Sequence, residues 1–319
     1  MKWEEINLVE ESKPFYRILD EICKEQNIEQ TLLSYGWIRE LKKEDKRHYI
    51  IRYQFDLNSA IAYNIASDKF ATYEVLRANN IPTIEHRMIF NPKTRSMYYK
   101  NKFIELAKEL LVKNDNKVVI KANDSCEGKD VYFCTTEKEI EEKVRKLFIE
   151  KNDTLSACPY LDIDFEYRAI YLYGEIIYIY KKRKAYVIGD GIKKLKDLIG
   201  AKYSNSNIDL IRELDLEYIP KKGEEITICW KHNLYNGAEP VLIDETDEFV
   251  EEVKKIAVSA GKAINIKFAS IDIAVTSDKK VLVMEINGSV CMNKFTQIVP
   301  DGYKIAKKIY SKAINKMFE

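Results

Sequence analysis

Glycine is scarce in this 319-residue chain, at 11 residues, and neither a Walker nor a GxGxxG pattern occurs, which removes the common glycine-rich phosphate cradles. Three histidines (His48, His86, His232) have no zinc spacing. Six cysteines (Cys23, Cys126, Cys134, Cys158, Cys229, Cys291) form no CxxC pair, so reduced thiols are the expectation. A Ser-His-Asp or Cys-His constellation is likewise absent. No run approaches the roughly 18 apolar residues of a membrane span, and the acidic start MKWEEINLVEESK lacks a signal-type apolar core. A soluble, cytoplasmic protein without membrane contact is expected. Lys plus Arg number 52 against 51 Asp plus Glu, a net charge of +1, so no global field points to nucleic acid and any anion site must be local. The 21 tyrosines fall mostly in strand patterns and suit packing. Repeats, low-complexity tracts and Gly/Pro/Ser linkers are missing too, which favours packed lobes over beads on a string.

What is present centres on SIDIAVTSDKKVLVMEINGSVCMN, from Ser270 to Asn293. Two β-rich runs flank the polar turn 276–280 and read as a hairpin. A turn centred on Asp278-Lys279 sets Asp272 opposite Glu285. Alternation then puts Glu285 and Asn287 on one face, with Leu282, Met284 and Ile286 on the other. Opposed carboxylates destabilise a sheet unless a cation lies between them, and hard oxygen donors of this kind suit magnesium or manganese. The alternative is a solvated hairpin edge with scattered acids.

Along the chain, residues 14–55 mix a helical segment with short strand-like runs, a small α/β lobe. Asp68 is placed to cap a helix over KFATYEVLRANN, with Lys69 in its first turn, where a lysine opposes the dipole and has either a surface role or an anion to hold. From Glu85 to about Asp162, the strand ending in Lys121 leads into the polar loop Asn123–Asp130, a flap whose amides could cover phosphates or an ordinary hairpin loop. The third unit, from Phe165 to the end, carries the strands FEYRAIYLY and EIIYIYKKR, a Gly189-Asp190-Gly191 turn into a helix, an insertion over 201–224, and the hairpin. The charge run Lys181-Lys182-Arg183-Lys184 ends a strand of that sheet, where a phosphate fits between base and metal.

The ordered set SDKFATYEVLRANNIP, VVIKANDSCEGKDVYFC, FEYRAIYLYGEIIYIYKKR, VIGDGIKKLKDLI and ASIDIAVTSDKKVLVMEINGSVCMN resembles the ATP-grasp superfamily of carboxylate-amine ligases, over about Ser67 to the C-terminus. The GDG segment and YIPKKGEEITICWKHNLYNGAEP are similar to the branch holding cyanophycin synthetase, bifunctional glutathione synthetase and ribosomal-protein glutamate ligases. The resemblance implies an α+β fold with two lobes clamping ATP: residues 1–66 as a short N-terminal lobe, 67–162 as the small subdomain, and 163–319 as the C-terminal subdomain with the metal hairpin. It also implies ATP and Mg2+ (or Mn2+) as cofactors, small-molecule or peptide carboxylates and amines as substrates, and a homodimer as an available assembly.

By that resemblance Lys69 and Lys121 hold the nucleotide phosphates. The flap Asp124 to Asp130, including Ser125, Gly128 and Lys129, closes over them. Pro159, Tyr160, Leu161 and Asp162 form the adenine-binding hinge. Glu166 accepts the ribose hydroxyl, Arg168 is the basic residue after it, and Lys181 with Lys182 stands at an arginine pair beside the transferred phosphate. Asp272, Glu285 and Asn287 are the metal ligands. His232, Asn233 and Lys294 lie in stretches that face the acceptor, with a plain core or surface role as the alternative. The chain departs from the family at Ser125 and Asp130, where glycines are usual, at Pro159 in place of an acid, in the lysine pair, and in its short N-terminal region. The implied activity is an ADP-forming ligase working through an acyl phosphate. A kinase on the same scaffold and a silent nucleotide-binding partner are the rivals.

Overall fold

The computed structural model describes residues 13–91, 104–124, 130–150, 154–203, 208–244 and 246–319. Helix α1 (Pro14–Glu25) precedes an antiparallel meander of β1 (Glu29–Leu33), β2 (Ile38–Lys43), β3 (Lys46–Ile51) and β4 (Gln54–Phe55). Proline at the start of α1 costs no hydrogen bond, because the first amide of a helix has no partner inside it. The meander does not stand alone. Phe15, Ile18, Leu41 and Phe55 share one buried cluster with Phe268, Tyr310 and Ile314 from the far end of the chain. The Phe55 and Tyr310 rings stack at 5.8 Å within it.

Next come α2 (Ala60–Ser67) and α3 (Lys69–Ala78), whose caps are Ser59 and Asp68, each accepting from the amide three residues on. The small lobe follows: β5 (Arg87–Phe90), α4 (Glu105–Lys113), β6 (Val118–Ala122), β7 (Val131–Cys134), α5 (Glu137–Ile149) and β8 (Thr154–Pro159), with sheet order β5-β8-β6-β7. In β6, Val118, Ile120 and Ala122 pack under the helices, while Val119 and Lys121 take the other face, as strand alternation requires.

The large sheet has the order β13-β10-β9-β14-β15. Its strands are β9 (Ile163–Leu172), β10 (Glu175–Arg183), β13 (Glu239–Leu242), β14 (Phe268–Thr276) and β15 (Val281–Asn287). One face, carrying Tyr167, Ala169, Ile271 and Ile273, packs on α7 (Val250–Ala263) and the α2–α3 pair. The other face changes character along its length. Its apolar half, Ile170, Leu172, Tyr180 and Phe268, lies in the cluster shared with α1, the meander and α9 (Gly302–Phe318). Its charged half, Glu166, Arg168, Lys182 and Asp272, opens on the cleft opposite the small lobe. The chemistry of alternate residues therefore marks where the covered face ends and the cleft begins.

Between β10 and β13 sits a small unit of β11 (Tyr186–Ile188), α6 (Leu195–Tyr203) and β12 (Glu225–Thr227) around Ala185, Val187, Leu195 and Ile228. The Gly189 turn is required by close approach: a Cβ there would lie 2.2 Å from the Lys221 carbonyl oxygen. Backbone links tie the lobes, among them Val283 donating to the Pro82 carbonyl at 2.9 Å. The Ile84 amide donates to the Val283 carbonyl at 3.0 Å, and Ser277 donates to the Asp162 carbonyl at 3.0 Å. No helix among the described residues is long and apolar enough to cross a membrane.

Candidate active site

The cleft brings both lobes to one space. From the small lobe come Lys121, Val119, Pro159, Tyr160 and Leu161; from α3 and the segment after it come Lys69 and Ile84; from the large sheet come Glu166, Arg168, Lys182, Asp272, Met284 and Glu285. Lys69 is buried, not on the surface, and its ammonium donates to the Asn123 carbonyl at 3.1 Å. Asn123 also holds the Phe70 amide through its side chain at 3.3 Å, so the end of β6 fixes the start of α3 and with it the two lysines.

Across the cleft the charges interlock. Arg168 donates twice to Asp272, from Nε at 2.7 Å and from Nη2 at 2.6 Å, and Lys182 reaches the same carboxylate at 3.0 Å and Glu166 as well. The β9–β10 and β9–β14 registers produce this, setting Lys182 opposite Glu166 and Asp272 opposite Arg168. Burial opposes the charge on Asp272, but Arg168 and Lys182 hold its carboxyl well below the usual range. Burial pushes the Glu166 carboxyl up, and Lys182 pulls back only part of that shift. His232 also faces the cleft, with Nδ1 3.7 Å from Glu166, and burial, Lys184 and Lys182 push its imidazole down to about 3. It is therefore a neutral imidazole at physiological pH. His86, bonded to the Ser156 hydroxyl at 2.6 Å, is held neutral by burial and by Lys121 and Lys69.

Several expectations need correction. Lys181 does not face the cleft. Adjacent strand residues point oppositely, and Lys181 lies on the helix side, paired with Asp247 and 4.5 Å from the Phe165 ring. The next residue on the cleft side is Lys184, which bonds the Ile163 carbonyl at 3.0 Å. In the hairpin, Asp272 does pair with Glu285, but because of a β-bulge. Nearer the turn the ladder runs Val275 to Val281 and Ile273 to Val283, then slips by one residue at Met284. The extra residue places Leu282 and Met284 on the same side as Glu285, against Val119 and Trp230, and leaves Val283 and Ile286 on the helix side. Alternation alone could not foresee that slip.

Asn287 adjoins the cleft through its amide, which donates to Glu285 at 3.1 Å. The Asp162 side chain is not among the cleft lining, although its backbone makes the lobe link. Asp124 is exposed at the end of β6, while Ser125, Gly128 and Lys129 lie outside the described residues. Trp230 and Lys231 were not foreseen. Trp230 forms an aromatic group with Tyr160 at 5.8 Å and Phe133 at 6.2 Å. Lys231 pairs with Asp209 at 2.9 Å.

Two carboxylates and an amide on paired strands are a donor set that fits magnesium or manganese. Among the described residues no three His, Cys, Asp or Glu side chains form a metal cluster. The remaining coordination positions would fall to water and substrate oxygens. The cleft pairs this set with an apolar slot at Ile84, Val119, Leu161, Trp230 and Met284. Polyanion at one end and a flat apolar group at the other is the arrangement the cleft can accept.

Residues 226–312 match the family model described as a RimK-like ATP-grasp domain. The chain is 23% identical over 258 residues to a glutathione biosynthesis bifunctional protein of Clostridium perfringens, which covers 74% of this chain and 31% of that protein. A bifunctional glutathione synthetase from Pasteurella multocida is similar in structure with a TM-score of 0.55 at 18% identity, over 94% of this chain and 44% of the other. A D-alanine–D-alanine ligase from Bacillus anthracis gives a TM-score of 0.53 at 18% identity, over 82% and 69%. This chain thus spans less than half the length of the two glutathione proteins.

Proposed function

We propose that the chain is a member of the ATP-grasp superfamily and acts as an ATP-dependent carboxylate-amine ligase, forming an amide or peptide bond and releasing ADP and phosphate. One observation carries the reading: buried Lys69 and Lys121 line the same cleft as Glu166, Arg168, Lys182 and Asp272 of the large sheet. Burying so many charges stabilises a fold little, because desolvation offsets the attraction, so a charged ligand is the better reason for them.

In this reading Lys69 and Lys121 hold the ATP phosphates, with the loop from Asp124 to Asp130 closing over them. Adenine lies in the slot walled by Val119, Leu161 and Met284, against the backbone of Pro159, Tyr160, Leu161 and Asp162. Glu166 accepts the ribose hydroxyl. Asp272, Glu285 and Asn287 would hold magnesium, which supplies neutralisation of phosphoryl charge when bound. Arg168 and Lys182, already fixed on Asp272, aim positive charge at the phosphoryl oxygens without reorganisation.

A carboxylate cannot readily expel oxide. Its oxygen therefore takes the γ-phosphoryl group as the bond to ADP breaks, giving an acyl phosphate. The amine nitrogen then bonds to the acyl carbon, the carbon–oxygen bond to phosphate breaks, and the amine proton leaves to solvent. Closing the lobes excludes the water that would hydrolyse the acyl phosphate. The substrate acid is an amino acid or a peptide, and cytoplasmic residence suits a demand for ATP.

The test is ADP and phosphate release with magnesium and ATP across a matrix of amino acids and short peptides, with mass detection of products. A new amide mass with stoichiometric ADP is expected. A phosphorylated product that resists added amine would overturn ligation in favour of phosphoryl transfer to a hydroxyl.

A further inference from the structure

The cleft holds one polar side chain that the mechanism leaves idle. His232 lies on the segment between β12 and β13, its side chain is 3% exposed, and it lines the reaction space. Among the described residues neither ring nitrogen makes a hydrogen bond, and the Glu166 carboxylate stands 3.7 Å from Nδ1, beyond the roughly 3.2 Å limit of a good bond. Buried polar groups are normally hydrogen-bonded, and an exception facing open space points to a group that arrives from solution.

Its neighbours are already committed. Asn233 lines the cleft too, but its side-chain oxygen accepts from the Tyr235 amide at 2.8 Å. Lys294, in α8 (Asn293–Ile298), holds its ammonium 5.5 Å from the Tyr235 ring and is not among the cleft lining. The other buried histidine, His86, is bonded to Ser156 and lies outside that lining. The backbone beside His232 is also fixed. Asn233 caps the short turn Leu234–Asn236, and Gly237 ends it at a φ of 86°, where a Cβ would lie 3.0 Å from the Tyr203 and Ile208 side chains. A polar group carried on so constrained a segment is preorganised for a ligand.

What Glu166 and His232 recognise together follows from their bonding capacity. The carboxylate presents acceptors, while a neutral imidazole offers one N–H and one lone pair. A fully ionised phosphate brings no donor for either and is better met by Lys69 and Lys121. Two adjacent hydroxyls suit both, because one donates to Glu166 while its neighbour exchanges a hydrogen bond with the imidazole in either tautomer. Resting on the reading of the cleft as a nucleotide site, with Glu166 at one ribose hydroxyl, we propose that His232 binds the other, so that a pair of anchors selects ribonucleotides over deoxyribonucleotides. Removing either hydroxyl leaves a buried partner unpaired, and a site built on such bonds discriminates more strongly than shape alone.

The experiment is isothermal calorimetry, with magnesium, of ADP, 2′-deoxyADP and 3′-deoxyADP binding to the whole chain, to His232→Leu and to His232→Gln, each checked for its fold by circular dichroism. Leucine keeps the volume without the nitrogens, and glutamine keeps a donor and an acceptor. The natural chain is expected to bind each deoxynucleotide at least about tenfold more weakly than ADP. In His232→Leu one of those two losses should vanish while the other, set by Glu166, persists, and His232→Gln should recover part of the lost preference. A ring that only supports the fold would instead weaken all three nucleotides alike, which overturns the proposal. So do equal preferences in the natural chain and His232→Leu, or a natural chain indifferent to either hydroxyl. A chain that binds no ADP sinks the nucleotide reading itself and the proposal with it. Because binding is read without turnover, failure to form an amide would sink ligation and leave the hydroxyl preferences standing.

Discussion

Lys181 and Lys182 are neighbours on β10, yet they belong to different worlds. On the helix side, Lys181 and the Tyr167 hydroxyl converge on Asp247, one polar contact inside an otherwise apolar face of Ala169, Ile271 and Ile273. On the cleft side, Lys182 joins Arg168, Glu166 and Asp272 in a network that lines the cleft. The helix side needs one ion pair, and that pair pins the segment leading into α7. The cleft side holds far more charge than packing requires, so its arrangement is explained by what enters the cleft. Charge buried under helices is structural; charge buried around open space is chemical.

The contrast breaks most visibly at the β14–β15 hairpin. Glu285→Gln should lower magnesium-dependent turnover at least about a hundredfold, since even residues that merely orient ligands cost ten- to a hundredfold. Its circular dichroism melt should stay close to that of the natural chain. ADP release by the purified, folded variant is the check, and unchanged turnover removes Glu285 from the metal.

The two lysines sharpen it next. Lys182→Met should cost about a hundredfold in turnover, the size seen when one preorganised donor is removed. Lys181→Met should leave activity per folded molecule nearly intact but cost about 2 kcal/mol of stability, less than a fully enclosed pair because Lys181 is partly exposed. Urea unfolding beside kinetics separates the two. The opposite pattern would put Lys181 back at the phosphate.

A smaller effect comes from protons. Burial, Lys184 and Lys182 hold His232 at about 3 against an ordinary 6.5. On acidification the unfolded chain therefore takes up its proton first. The stability from neutral His232 is fully present above pH 6.5 and is lost as pH falls toward 3, by up to about 1.4 kcal/mol per pH unit. His86 is shifted in the same direction by burial with Lys121 and Lys69, so both histidines steepen the acid limb. Urea midpoints between pH 7 and 4 should fall less steeply for His232→Gln, and an identical slope would show that the imidazole does not titrate on unfolding.

Smallest of all, Met284→Ala should weaken nucleotide binding by roughly fivefold through lost apolar contact, with little change in turnover at saturation. A loss in turnover instead would show that the bulge at Met284 matters through Glu285.

Much of this was legible beforehand. The hairpin, the Asp68 cap and the strand ending at Lys121 follow from local patterns of turn, cap and period, whereas the Asp272–Glu285 pairing comes out as expected only because the bulge offsets a one-residue difference at the turn. The failures have one physical origin, that alternation is only as good as its register. Lys181 was misassigned because a charge run does not reveal which members share a face. Met284 was misplaced because a bulge adds a residue without any special residue type. Trp230 and Lys231 come from the segment after the 201–224 insertion and reach the cleft through tertiary packing that no local pattern encodes. The shared core of meander, α1 and α9 is similarly invisible, since its partners lie more than two hundred residues apart.

The central claim is that one cleft holds nucleotide and metal together against Asp272, Glu285 and Asn287. Electron paramagnetic resonance of manganese, titrated into the protein with and without a non-hydrolysable ATP analogue, tests it most directly. A bound manganese signal that requires both protein and nucleotide, and that Glu285→Gln abolishes, is the expected result. Manganese binding indifferent to the nucleotide or to that substitution would contradict the account.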